Sequence, residues 1–288
     1  MKILRCVGLT AAFSAVSIPV MAQTLSGPES IEFHARQHRY LISNTSGGNI
    51  LARDADGILS SFTADPTSPY GIELLAGTLF VLDSGRVKGY DIDSAALVMN
   101  APVTGASFLN GITSNGVDTL YFTDYSARTV RSLNVADLSA PVHDSSISTG
   151  SSTPNGIVFD HKANRLLIAT WGSSAKILSL ELTPGATPSP LINTTLGNID
   201  GIALDCNGSI HVAAWSGCGA TGGCIRRFDP PFTLTSTANV VANGLSSPAD
   251  IDYNRVNGDI AVPESGGNRL SFHATGCPAA LFTDDFER

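Results

Sequence analysis

Glu29, Asn110, Asn155 and Asp200 carry side-chain oxygens, and each stands two residues before an isoleucine: Ile31, Ile112, Ile157 and Ile202. Two carboxylates and two amides form an all-oxygen set of the kind that hard cations such as Ca2+ accept, with water completing six to eight ligands. Singly, Asn110, Asn155 and Asp200 read as turn residues, because each precedes a glycine and Asn-Gly and Asp-Gly are common turn dipeptides. The column as a whole points to a shared site, since unrelated turns have no need to place acceptor oxygens at one repeat position. Other catalytic signatures are absent: there is no G-x-S-x-G elbow, no phosphate-binding G-x-x-x-x-G-K-[ST] loop and no H-E-x-x-H.

A shared offset implies a shared scaffold. The same isoleucine recurs at Ile31, Ile72, Ile112, Ile157, Ile202 and Ile251, in steps of 41, 40, 45, 45 and 49 residues, a period that points to propellers or solenoids. Each copy continues with a short apolar segment, a turn, and a second strand opening seven to nine residues on, at Tyr40, Leu79, Leu120, Leu166, Ile210 or Ile260. Such constancy is what a tight hairpin imposes, because loop length fixes register. A third strand is readable at residues 49–53, 129–133, 176–180 and 269–272, and a weaker fourth at 59–62, 96–99 and 240–242. Gly, Pro, Ser and Thr are too frequent, and long helical periodicity too scarce, for a helical solenoid. The expected fold is therefore all-β, a six-bladed β-propeller of four-stranded antiparallel blades, closed by the tail near residues 280–283.

In a propeller the innermost strands line the axial channel, so the column two before each isoleucine (Glu29, Tyr70, Asn110, Asn155, Asp200, Ala249) converges there. Second strands end on the same face, which brings Asn44, Asp83, Asp124, Thr170, Ala214 and Glu264 to the rim, beside Tyr125, Trp171 and Trp215. Asp250, next to the axis on blade six, is the first candidate for general base, with Asp124 and Glu264 behind it; alternatively Asp83 and Asp124 bond their own bends. Tyr125, Trp171 and Trp215 are candidates for holding a ring-shaped or apolar substrate, or alternatively pack between blades. The histidines fall in turns on the opposite face or within a strand and are expected to be structural.

The ends of the chain bound its setting. Lys2 and Arg5 precede an apolar run from Cys6 to Val20, shorter than a bilayer needs, and Ala22 offers a small residue for cleavage, so residues 1–22 read as a signal peptide and 23–288 as one domain with a short acidic tail. The protein is expected to be secreted or periplasmic, with no membrane span, and monomeric. Cleavage removes Lys2 and Arg5 from the 17 basic residues and none of the 25 acidic ones, which excludes nucleic acid bound through its phosphates. Cys206, Cys218, Cys224 and Cys277 remain, an even number in an oxidising compartment. Topology places Cys206 and Cys277 on one face of adjacent blades, and Cys218 and Cys224 around one bend, so those are the expected pairs; without a C-x-x-C, zinc is disfavoured.

With these residues in place, the chain resembles the SMP-30/gluconolactonase/LRE-like propellers, related more distantly to paraoxonases and NHL-repeat proteins. The resemblance of repeat pattern spans residues 28–273. Members hold a divalent cation at the axis through a Glu near the start, Asn residues from two middle blades and an Asp from a later one, and Glu29, Asn110, Asn155 and Asp200 occupy those places in that order. The resemblance implies a Ca2+-dependent hydrolase acting on a small-molecule lactone or related ester. The sugar-lactone hydrolases carry an arginine where this chain has Phe108, and their opening motif is replaced by Glu29-Ser30-Ile31. The alternative is a non-catalytic ligand- or protein-binding propeller with a structural axial cation.

Overall fold

The structure, a computed structural model, describes residues 23–277. The expected signal peptide and the closing tail at residues 280–283 lie outside the described residues. Among the described residues the chain forms six antiparallel sheets, five of four strands and a sixth of three, each with its strands in chain order. The first strands are Pro28–His34, Pro69–Leu75, Leu109–Ser114, Thr153–Asp160, Gly197–Leu204 and Asp252–Asn254. They neighbour one another in sequence, and the sixth returns to the first, so the sheets close into a six-bladed propeller. The second strands, such as Arg39–Asn44, Thr78–Asp83 and Arg165–Trp171, start at the expected openers or one residue before them.

The spaced isoleucines lock blade to blade. Apolar side chains gather into six clusters, and each contains one of them: Ile31 with Ile42 and Ala261, Ile72 with Leu41 and Val81, Ile112 with Phe80 and Phe122. Ile157, Ile202 and Ile251 take the same part in the other three. All six are at most 5% exposed, and burial of such a side chain is worth about 1.5–3 kcal/mol. One position per repeat therefore supplies a key to every interface.

Proximity of the inner strands explains the glycine before the isoleucine in four of the six blades. A Cβ on Gly111, Gly156 or Gly201 would lie 2.5–2.6 Å from the carbonyl oxygen of Asn155, Asp200 or Ala249 in the next blade, and one on Gly71 would clash with the Asn110 carbonyl. None of these four has a positive φ, so close backbone approach, not turn formation, requires glycine here. At the seam between last and first blades the column changes to Asp250 and Ser30, which bond to each other: Ser30 Oγ donates to Asp250 Oδ2 at 3.1 Å. Asp250 N–H donates to the Glu29 carbonyl (2.8 Å), and Phe33 N–H to Asp252 Oδ2 (2.9 Å).

Both expected disulfides are present. Cys206–Cys277 ties the first hairpin of blade five to the end of the described chain, and Cys218–Cys224 closes a bend in blade five, with Cα atoms 6.0 and 5.9 Å apart. Among the described residues no helix is long and apolar enough to cross a membrane.

Candidate functional site

Glu29, Asn110, Asn155 and Asp200 lie at one level of four inner strands, each immediately before the crowded position described above. Glu29 Oε2, Asn110 Oδ1 and Asn155 Oδ1 are buried and have no hydrogen-bond partner. Asn155 spends its amide on the ring itself, donating Nδ2–H to Asp200 Oδ1 at 3.1 Å, which leaves its oxygen turned to other use. Buried acceptors without donors are uncommon and costly, and three of them stand at this one repeat level.

The carboxyl groups give the same indication. Burial pushes Glu29 well above the usual carboxyl range, and the charges of Asp200 and Asp250 push it further. Asp200 is raised to about 7, chiefly by burial, against the lowering effect of hydrogen bonds from Trp215 and Asn155. Both directions are those of acids shut away from water, with like charges adding to the effect at Glu29. Among the described residues no three His, Cys, Asp or Glu side chains cluster to hold a metal on their own, so an ion at the axis requires the amide oxygens. The donor set, all oxygen and partly unpartnered, fits a hard divalent cation.

At the rim, the acceptor side chains are turned to neighbouring loops. Asp124, expected as a reserve base, is fully buried and accepts N–H bonds from Ser107, Phe108 and Ala127 at 2.9–3.2 Å and a 3.0 Å ion pair from Arg131. Burial would raise its pKa, but those backbone bonds and Arg131 outweigh it and hold the group low. Glu264 is equally committed, to Ser246 N–H (2.8 Å) and Arg269 (2.6 Å). Asp83 accepts from Thr67 and Ser68, and Asn44 from Ser26. In all four blades the acceptor at the end of the second strand braces the loop four or five residues before the isoleucine. These side chains fasten each blade's incoming loop.

Asp250 differs. It is 9% exposed, is held through Ser30, and has its pKa raised well above the ordinary range by burial first and then by the charge of Asp200. It stands one residue beyond ring level and lines a cavity of about 580 Å3 that occupies the opposite half of the channel. Glu32, Glu73 and Asp252 line that cavity too, with Arg255 and His161. All three carboxyls are raised by burial, Glu73 to about 7. This second acidic level was not anticipated, although the ruler that found the first would have found it: the residue after each isoleucine reads Glu32, Glu73, Thr113, Val158, Ala203 and Asp252.

Tyr125, Trp171 and Trp215 do stand together at the ring end, and two further rings join them. Edge-to-face contacts run Tyr70–Phe108, Phe108–Tyr125, Tyr125–Trp171 and Trp171–Trp215, with centroids 4.8, 5.5, 6.2 and 5.0 Å apart. Trp215 Nε1–H donates to the Pro248 carbonyl at 3.0 Å.

The fold defines the class, a six-bladed propeller, here with an acceptor ring at one end of its channel and an acidic cavity at the other. Solved structures similar to it in fold include a luciferin-regenerating enzyme (TM-score 0.69, 11% identity, covering 93% of this chain and 97% of that one) and a protein assigned as a gluconolactonase (0.67, 14%, 92% and 96%). Both are SMP-30-like six-bladed propellers, the likeness the sequence suggested. Virginiamycin B lyase from Staphylococcus aureus is also similar (0.60, 13%, 89% and 88%). At these identities the likeness establishes the fold. No protein-family model matches the chain, and no curated protein sequence is similar to it.

Proposed function

We propose that this chain is an exported hydrolase of a lactone or related ester, dependent on a divalent cation such as Ca2+ held by Glu29, Asn110, Asn155 and Asp200. The observation that carries the reading is the trio of buried, unpartnered oxygens on Glu29, Asn110 and Asn155. The chemistry a cation supplies in such a place is polarisation of a carbonyl and stabilisation of the oxyanion that forms. Asn155 orients Asp200 through its amide, and Ser30 orients Asp250. Asp250 is the proton acceptor: it alone of the three candidate bases is not committed to backbone N–H groups or an arginine. Export is supported by the two disulfides and by the leader-like residues 1–22.

The virtual absence of solvent around the three ring oxygens favours a second reading, a non-catalytic ligand-binding propeller in which the cation is a structural plug. A panel of lactones and aryl esters, assayed with and without chelator alongside metal analysis of the purified protein, separates the two. Chelator-sensitive turnover that disappears in Asp250→Asn, with folding intact, supports the hydrolase. Bound metal with no turnover of any substrate leaves the plug.

A further inference from the structure

We infer that the ring end of the channel selects a ligand carrying a planar aromatic group, and that the selecting surface is the arc Tyr70, Phe108, Tyr125, Trp171 and Trp215. This names the substrate class of the site proposed above as aryl-bearing lactones or esters, and so rests on that reading for its chemistry but not for its binding.

The arc could be ordinary packing, but its placement argues otherwise. Phe108, Tyr125, Trp171 and Trp215 join none of the six inter-blade clusters; Tyr70 alone packs against one. None of the five is fully buried, and Trp215 is 37% exposed. Large rings withheld from the cores and left partly open to water cost hydrophobic free energy that packing would have recovered. They are nevertheless fixed, each held by its neighbours in edge-to-face geometry, which is a pre-organised aromatic surface.

The arc also borders the acceptor ring at both ends. Tyr70 feels the charge of Glu29, and Tyr125 that of Asp200, while Trp215 lies near enough to Asp200 to lower its carboxyl. It therefore spans blades two to five beside the unpartnered oxygens of Glu29, Asn110 and Asn155. A flat apolar group can lie against these rings while a carbonyl beside it reaches ring level. A polyhydroxylated ligand would bring many hydroxyls to a wall whose polar groups are few, and Trp215 N–H is already used.

The chain has two tryptophans, and both belong to the arc, so their emission reports on this mouth alone. Three amides of one reacting group but different bodies serve as non-hydrolysed probes: 3-phenylpropanamide, propanamide and gluconamide. Titrated into the full mature protein with tryptophan-selective excitation, 3-phenylpropanamide is expected to saturate the emission change with a Kd at least tenfold below those of the other two. Trp171→Leu, folded by circular dichroism, is expected to weaken it about tenfold, and Trp171→Phe to restore most of the loss. Equal affinities, no saturable response, or full affinity in Trp171→Leu overturns the inference. Hydrolysis of dihydrocoumarin and glucono-1,5-lactone is scored separately. Selective aryl-amide binding without turnover of either lactone keeps the arc and removes the hydrolase; preferred turnover of the sugar lactone keeps the hydrolase and removes the arc.

Discussion

The substitution Glu73→Gln should change how stability depends on pH. Glu73 lines the channel cavity, and its carboxyl is raised from an ordinary 4.5 to about 7, by burial first and by the charge of Asp252, against the lowering effects of Ser114 and Arg255. A raised carboxyl binds its proton more tightly in the folded than in the unfolded chain. Stability is therefore greatest below about pH 4.5, falls as pH rises from there toward 7, and levels off above. At about 1.4 kcal/mol per pH unit, the displacement from 4.5 to about 7 sets an upper bound of about 3 kcal/mol on the loss. Asp252 and Glu32 share the field, so some of that loss belongs to them. Glutamine keeps the shape and a hydrogen-bonding oxygen but cannot ionise. Urea unfolding of both proteins between pH 4 and 8, with the slope m checked for constancy, should give similar midpoints at pH 4. At pH 8 the Glu73→Gln variant should be the more stable by about 1–3 kcal/mol. Parallel curves across the whole range would mean that the carboxyl is as well solvated folded as unfolded, and the reasoning about the channel would fail.

The two disulfides should differ in worth. Loop closure of 71 residues by Cys206–Cys277 stabilises by about 4 kcal/mol against about 2 for the 6 residues of Cys218–Cys224, so the paired serine substitutions should lower Tm in a ratio near two. Equal shifts would argue against an entropic origin. Asp124→Ala removes the acceptor of three backbone N–H bonds and of the Arg131 ion pair, and should cost about 3 kcal/mol. Turnover per folded molecule should be retained, and a selective loss of turnover would return Asp124 to the candidate bases.

Much of the fold was readable because the residues that carry it repeat. An isoleucine sits in every inter-blade cluster, so one position revealed the blade count, and constant hairpin length revealed the second strands. The side chains at the rim were harder. Strand ends fix which face a residue occupies, not which neighbour it meets, and Asp124 and Glu264 turn back to loop N–H groups in their own blades. Their partners, at Ser107, Phe108 and Ser246, carry no sequence signal, since any residue but proline offers an N–H. Nor could one repeat disclose why glycine follows Asn110, Asn155 and Asp200: the opposing carbonyl belongs to the next blade. Glu32, Glu73 and Asp252 were missed for a simpler reason, because the column was read backward from each isoleucine and not forward.

The claim on which the functional account turns is that the ring holds one divalent cation. Calorimetric titration of Ca2+ into chelator-treated protein should show a single site per chain, with thermal stabilisation of about 2.7 kcal/mol when the free ion reaches a hundred times its Kd. Asn110→Ala and Asn155→Ala, which remove the unpartnered amide oxygens, should each weaken that binding at least tenfold without altering the fold. A protein that binds no divalent cation, or binds it equally well in both variants, would contradict the account.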